Sequence, residues 1–185
     1  MMRVIAGSAR SLPLKAPEGQ DTRPTTDRIK ETLFNILQND VPGSVFVDLY
    51  SGSGAIGIEA ISRGAKKAYF IENAAPALSC IHQNLAFTKF QDRAIVIKQD
   101  AAAALSQIHE KHVDVIFMDP PYGKGEDERI LRALSSMPFV DEETLIIVEE
   151  ERKRDFAFAT DLGYEIKREK TYKTNKHVFL HKAEA

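Results

Sequence analysis

The sequence has little that would cross-link the chain or hold it in a membrane. Its 185 residues include one cysteine, Cys80, so no disulfide can form within the chain, as is usual in a reducing compartment. No apolar run has the length of a signal peptide or a membrane span. The five histidines are not spaced with cysteines or acids as in known zinc sites. We therefore expect a cytoplasmic protein with no metal site and no membrane contact.

An excess of one charge sign is also missing, because the net charge is −2 although 28% of the residues are charged. A uniformly basic nucleic-acid binder is thereby excluded. The charge is nevertheless uneven. Residues 1–30 hold six basic and three acidic side chains, and residues 164–182 hold six basic and two acidic ones. Each stretch on its own is equally consistent with a solvated surface, but the two together would suit a polyanion if they met on one face.

The chain shows no repeat, low-complexity tract or linker, and what it does have is a regular alternation of apolar strands and amphipathic helices. Residues 2–17 suggest a short hairpin or arm. The segment "RPTTDRIKETLFNILQ" predicts a helix with Thr25, Thr26 or Asp27 as its cap, because apolar residues recur at helical spacing. The early strands, such as "SVFVDLY" and "AYFIE", are nearly continuous apolar runs, which is typical of parallel strands buried on both faces.

We therefore predict one α/β domain over residues 1–185. Its doubly wound, Rossmann-like sheet would be mostly parallel and would end in an antiparallel C-terminal hairpin. Residues 1–40 would form the N-terminal arm and helix, and residues 41–185 the α/β core.

A glycine-rich loop, "DLYSGSGAIGIE", joins the first core strand to its helix. Gly52, Gly54 and Gly57 match the G-x-G-x-x-G pattern of dinucleotide sites, although a tight turn without a ligand would look the same. Asp48 precedes the loop and would repel a pyrophosphate, unless it only caps the helix. It would attract a ligand with a positive end, and S-adenosylmethionine has an ammonium and a sulfonium but no phosphate.

Two further acids stand at strand ends. Glu72 ends "AYFIE" and could accept both ribose hydroxyls of an adenosine. Asp100 follows "AIVIKQ" and could accept from the adenine amino group, cap the next helix, or do both. Because the carboxyl ends of parallel strands share one edge of a sheet, these acids would border a single crevice. The candidate cofactor-binding residues are Asp48, Ser51, Gly52, Gly54, Glu72, Asn73, Asp100, Ala101 and, as a guess, Thr25.

The segment "MDPPYGK" ends the fourth core strand. Two adjacent prolines stop the strand and stiffen the chain, so a rigid turn is the simplest interpretation. Next to a methyl donor, however, the Asp119 carboxylate and the Pro120 carbonyl could bind the two hydrogens of a planar NH2 group. Pro121 would fix the direction of that carbonyl, and Tyr122 would offer a face on which a base stacks. These four are the candidate catalytic residues.

"DPPY" with "DLYSGSG" resembles the amino-group methyltransferases. Four segments in order, "MRVIAGSARSLPLKAP", "TRPTTDRIKETLFNIL", "DLYSGSGAIGIEAISRGA" and "DVIFMDPPY", are similar to the bacterial 16S rRNA guanine-N2 methyltransferase family, RsmD. Members often have "DLFAGSG", where this chain has Tyr50 and Ser51. The resemblance implies methyl transfer from S-adenosylmethionine to one guanine, at a site of the position-966 type, in an assembling small subunit. It also implies that the "RPTTDRIKETLF" helix packs over the methionine end of the cofactor.

No residues are left over for a domain that recognises duplex DNA, so an already folded ribosomal particle suits this chain as a partner. The protein would act as a monomer. Adenine methylation of DNA or RNA, a non-catalytic role in ribosome assembly, and the less expected NAD-dependent oxidoreductase stay open. Candidate RNA contacts are Arg3, Arg10, Arg23, Arg28 and Lys124.

Overall fold

The computed structural model describes residues 1–18 and 26–185. Two of the candidate residues, Arg23 and Thr25, lie outside these ranges. The first helix, α1, spans Asp27–Ile36, and the Thr26 hydroxyl oxygen accepts a hydrogen bond from the Ile29 amide at 3.3 Å. Thr26 therefore caps the helix as one of the three predicted candidates.

Strands and helices alternate through the rest of the chain. None of the helices in the described ranges is long and apolar enough to cross a membrane. The elements after α1 are β1 (Val45–Leu49), α2 (Ala55–Ser62), β2 (Lys67–Glu72), α3 (Ala75–Thr88), β3 (Ala94–Lys98), α4 (Ala101–Ala104), β4 (Val115–Met118), α5 (Glu126–Leu134), β5 (Leu145–Glu151), α6 (Phe158–Asp161), β6 (Tyr164–Thr171) and β7 (Asn175–Lys182).

The seven strands form one sheet in the order β3-β2-β1-β4-β5-β7-β6. The strands β1 to β5 are parallel to one another, whereas β7 is antiparallel to both β5 and β6. The predicted mixed sheet with an antiparallel C-terminal hairpin is confirmed. The chain winds outward from β1 on one side and from β4 on the other, so the crevice beyond these two strands is a topological switch point. Leu49 lies opposite Met118 there, which brings the segments after both strands together.

Two apolar clusters cover the two faces of the sheet. The N-terminal arm, α1, α2 and α3 pack on one face around Phe46, Phe70 and Phe117. The helices α4, α5 and α6 pack on the other around Val47, Leu49 and Ile116. Alternate residues of the central strands thus pack into opposite clusters, and the sequences of these strands are therefore apolar throughout. For β3 the expectation of burial on both faces was wrong: β3 is the edge strand of the sheet, and Ile95 is 39% exposed.

The N-terminal arm is a short, irregular hairpin. Its two segments are joined by backbone hydrogen bonds from Val4 to the Leu12 carbonyl at 3.0 Å and from Leu14 to the Met2 carbonyl at 2.9 Å. Glu59 of α2 also holds the arm, because its carboxylate accepts from the amides of Ile5 and Ala6 at 2.9 and 3.1 Å. Lys30 donates to the Arg3 carbonyl at 2.6 Å and lies 3.9 Å from Glu59, with both side chains fully buried. Arm and α1 are therefore clamped onto α2.

The segment "AAALSQIHEK" is rich in residues that favour a helix, yet the helix it forms is short. This helix, α4, ends at Ala104 and is followed by one 3-10 turn, Leu105–Gln107. Ala104, Leu105 and Ile108 are all buried against the sheet. Packing of these apolar residues outweighs the intrinsic helix propensity of alanine and leucine.

Candidate active site

The glycine-rich loop between β1 and α2 is a tight turn tied to both neighbouring segments. The Ser51 amide donates to the Ile71 carbonyl at 2.9 Å, and its hydroxyl donates to the Asp48 carbonyl at 2.7 Å. The Gly54 amide closes the turn by donating to the Ser51 carbonyl at 2.8 Å. Gly52 and Gly54 have φ angles of +55° and +83°, a region that side chains other than glycine rarely adopt.

The three glycines of the motif serve different purposes. A Cβ atom on Gly57 would lie 2.4 Å from the ring of Phe70, so this glycine allows α2 to pack closely on β2. A Cβ on Gly54 would also meet Phe70, at 3.3 Å. A Cβ on Gly52 would have no atom within 4 Å among the described residues. Gly52 is thus the position of the loop that faces open space.

Asp48 is buried beneath this loop, with 1% of its surface exposed. Its Oδ2 accepts from the Gly57 amide at 3.1 Å, so the carboxyl group does contact the start of α2, as in the capping interpretation. Burial, together with the negative charge of Glu72, raises the pKa of Asp48 from its ordinary value of 3.8 to about 8. Burial therefore disfavours the ionised form of Asp48, and a cationic ligand nearby would stabilise that form.

Glu72 ends β2 and connects that strand to the glycine-rich loop. Its Oε2 accepts from the Gly52 amide at 2.8 Å, and its Oε1 accepts from the amides of Asn73 and Ala74 at 2.9 and 3.0 Å. Asn73 itself is exposed. A carboxylate offers about four acceptor positions, so Glu72 keeps little capacity for a further donor. A ribose hydroxyl would share Glu72 with the loop.

Asp100 is the N-cap of α4, where its Oδ2 accepts from the amides of Ala102 and Ala103 at 3.1 and 3.3 Å. It also forms an ion pair with Arg129 of α5 at 2.9 Å. Hydrogen bonds from Arg129 hold the pKa of Asp100 below its usual range. The capping interpretation is confirmed, and the neighbouring Ala101 is buried. The adenine contact stays a prediction.

Arg129 also connects to the end of β1 through Glu126, and no local pattern in the sequence indicates this connection. Arg129 also pairs with Glu126 at 2.8 Å, and Glu126 accepts from the hydroxyl of Tyr50 at 2.8 Å. Tyr50 has a φ of +59° at the end of β1. Arg129 thus links the end of β3 to α5, and the Tyr50 hydroxyl links the end of β1 to the same helix.

Asp119 directly follows the last residue of β4 and is half-buried. Its carboxyl group accepts no hydrogen bond from any residue in the described ranges. Burial first, and then the negative charges of Glu149 and Asp48, raise its pKa well above the usual range. Pro120 is buried, whereas Tyr122 is 39% exposed. A stiff, anchored backbone thus presents an unsatisfied acid and an accessible aromatic ring.

A second group that the sequence did not reveal lies beside Asp119. Glu149 of β5 is 2.8 Å from His177 Nε2 and accepts from Asn175 Nδ2 at 3.0 Å. Tyr172 Oη lies 3.4 Å from His177 Nδ1. These side chains come from β5 and from the β6–β7 hairpin, and nothing in the "EEE" run or the isolated histidine indicated that they would pair.

The candidate RNA-binding residues do not form one group. Arg3 pairs with Asp27 at 3.2 Å, and Arg10 and Lys124 are exposed. Arg28 lines a cavity of about 590 Å³ together with Lys170 and Lys173 of the C-terminal hairpin. The two basic ends of the chain therefore do meet at one place.

Comparisons with known proteins identify relatives of this chain. The family model described as "Conserved hypothetical protein 95" matches residues 2–181. The Escherichia coli (strain K12) protein named "Ribosomal RNA small subunit methyltransferase D" is 37% identical over 150 residues, covering 81% of this chain and 75% of the relative. The chain belongs to the RsmD family.

A second RsmD relative, from Haemophilus influenzae, is 36% identical over 172 residues, or 92% of this chain and 88% of its own. The solved structure of the Escherichia coli protein yhhF superposes with a TM-score of 0.82 at 31% identity, covering 99% of both chains. Family membership confirms the resemblance drawn from the four sequence segments. It also identifies the protein as a methyltransferase with a Rossmann-like fold.

Proposed function

We propose that this protein transfers a methyl group from S-adenosylmethionine to the exocyclic N2 amine of a guanine in 16S rRNA. The observation that carries the proposal is the pairing of β1 with β4. It brings the glycine-rich loop and the Asp119–Tyr122 segment to the same edge of the sheet, where a methyl donor and an amine could meet.

The residues around the loop fit a ligand with positive charge. Asp48 and Asp119 are desolvated acids that repel one another, and each has a raised pKa. A pyrophosphate would add further negative charge, whereas a cation would lower the energy of both acids. When bound, S-adenosylmethionine supplies a methyl group on a positively charged sulfur. Gly52 leaves room for its close approach to the backbone.

Asp119 and Pro120 suit the amine acceptor. The Asp119 carboxylate has no hydrogen-bond partner among the described residues and is free to accept one amine hydrogen, while the Pro120 carbonyl accepts the other. Holding both hydrogens localises the nitrogen lone pair and directs it at the methyl carbon. The carbon–nitrogen bond forms as the carbon–sulfur bond breaks. The nitrogen becomes acidic only as it gains the methyl group, and its proton then passes to Asp119 or to water.

Tyr122 would hold the base. Its ring is accessible and follows two prolines that restrict the backbone. Stacking of a base on an aromatic ring contributes about 1–3 kcal/mol, and it distinguishes bases only weakly. Guanine as the base, and a site of the position-966 type, thus rest on the family resemblance.

The names of the relatives and the basic side chains near Arg28 both support an RNA substrate. Two RsmD relatives are named as small-subunit ribosomal RNA methyltransferases. The basic groups that meet near Arg28 suit an RNA backbone. We propose that the protein acts as a cytoplasmic monomer on an assembling small subunit.

Nucleoside mass spectrometry tests the proposal. We expect 16S rRNA from a strain lacking the gene to lose one N2-methylguanosine, which the wild-type gene restores and an Asp119→Ala gene does not. An unchanged N2-methylguanosine content would refute the proposal. Transfer of labelled methyl to DNA but not RNA would favour an adenine DNA methyltransferase. Full rescue of growth by Asp119→Ala would favour a non-catalytic assembly factor.

A further inference from the structure

A cavity of about 590 Å³ lies between the start of α1, the residue after β5 and the turn that joins β6 to β7. Four cationic side chains line it: Arg28, Arg152, Lys170 and Lys173. No acid from the described parts of the chain lines it. The cations come from three separate segments, so only the folded chain collects them.

No carboxylate in the described part of the chain neutralises these four cations. Within residues 1–18 and 26–185, none of them has a carboxylate within ion-pair distance, although Arg63, Arg129 and Arg154 each do. The Arg152 guanidinium donates a 3.4 Å hydrogen bond to the Tyr172 carbonyl, which is uncharged. Like charges that share a concave surface repel one another, and an anion bound between them removes that cost.

The cavity is connected to the surroundings of Asp119. Tyr172 lines it, and the Tyr172 hydroxyl lies 3.4 Å from His177, which is 2.8 Å from Glu149. The charge of Glu149 is in turn one cause of the raised pKa of Asp119. Arg152 follows the carboxyl end of β5, which is parallel to β4 and pairs with it, so the cavity and Asp119 lie at the same edge of the sheet.

We propose that this cavity binds the phosphates of the RNA strand that flanks the target nucleotide. The inference rests on the proposed function, because it takes RNA as the substrate. A cavity of this size, with cations along several walls, suits successive phosphodiesters of one strand better than a single small anion. Arginine and lysine are the usual partners of such phosphates.

Fluorescence anisotropy with a labelled single-stranded RNA tests the proposal. Phosphate contacts do not depend on sequence, so the probe need not contain the target base. The test protein is Lys170→Ala/Lys173→Ala. The matched control is Lys66→Ala/Lys111→Ala, which removes two exposed lysines ahead of β2 and β4, at the opposite edge of the sheet. Each protein is titrated at several salt concentrations, and S-adenosylmethionine affinity is measured by calorimetry as a check on the fold.

We expect the RNA affinity of the test protein near 0.1 M salt to be lower than that of the wild type by at least about tenfold. The slope of log K against log salt concentration should be shallower by about 1.5, since each lost phosphate contact changes this slope by about 0.7. The control should match the wild type, and S-adenosylmethionine affinity should be the same in all three. Equal RNA affinity and slope in test and control proteins would overturn the proposal. If the wild type methylates no rRNA guanine yet the test protein loses RNA affinity, the proposed reaction fails and the cavity assignment stands.

Discussion

Replacing Asp48 with asparagine should stabilise the protein without ligand while it abolishes cofactor binding. Asparagine has nearly the same shape and keeps an oxygen that can accept from the Gly57 amide, which Asp48 Oδ2 accepts at 3.1 Å. It removes the ionisable group. The carboxyl of Asp48 is buried and its pKa is raised to about 8, so the native protein pays for its ionisation near neutral pH.

The size of the effect follows from proton linkage. A carboxyl whose pKa is higher in the native state than in the unfolded chain binds its proton more tightly when folded. The native state therefore loses stability as pH rises from the unfolded pKa of 3.8 towards about 8. Between about pH 5 and pH 8 the loss is about 3.5 kcal/mol, or about 2.5 kcal/mol if the folded pKa is one unit lower.

Urea denaturation of the wild type and of Asp48→Asn, at about pH 5 and pH 8, measures this term. The variant's advantage in free energy of unfolding should be larger at pH 8 by about 2.5–3.5 kcal/mol. Calorimetry at pH 8 should show at least a hundredfold loss of S-adenosylmethionine affinity, since the cation loses its buried counter-charge.

An advantage that is the same at both pH values would refute the raised pKa of Asp48. Stabilisation together with unchanged cofactor affinity would refute its role as the counter-charge. Threonine at position 88 offers a control, because Thr88→Val removes a buried hydrogen bond from the Thr88 hydroxyl to the Asn84 carbonyl and no charge. Its stability difference from the wild type should not vary with pH.

Three further predictions concern the same crevice. Asp119→Ala should lower the rate of methyl transfer at least a hundredfold and weaken cofactor binding less than Asp48→Asn does, measured by single-turnover kinetics and calorimetry; an unchanged rate with bound cofactor would contradict its role at the amine. Tyr122→Ala should cost about 1–3 kcal/mol in kcat/KM for the RNA whereas Tyr122→Phe keeps the stacking face, so equal losses in both would exclude stacking. Gly57→Ala should lower the free energy of unfolding by about 1–3 kcal/mol, because its Cβ would lie 2.4 Å from Phe70. Gly52→Ala should weaken cofactor binding more than it lowers stability, and thermal melts with and without S-adenosylmethionine separate the two glycines.

Much of the crevice was predictable because its residues sit at the ends of strands. The strands are visible as apolar runs, and in a parallel sheet all carboxyl ends lie along one edge. The positions of Asp48, Glu72, Asp100 and Asp119 at that edge follow from local pattern alone. The hydrogen bonds of Glu72 to the loop, and of Asp100 to Arg129, depend on which strands and helices are neighbours, and the sequence does not contain that information in any local form.

The alternation of strands and helices, the glycine turn and the chemical type of each group at the strand ends follow from the amino-acid sequence alone. These depend on periodicity, backbone conformation and side-chain chemistry, all of which are local properties. Which acids are desolvated depends on the tertiary structure, because the burial of Asp48 and Asp119 is set by every element that packs around them. The tertiary structure also decides that Glu149 meets His177, and that Arg28 meets Lys170 and Lys173. The first contact follows from the strand order, which places β7 beside β5, and the second also needs α1 to pack against the sheet. Both arrangements arise because the fold buries two apolar faces of the sheet at once.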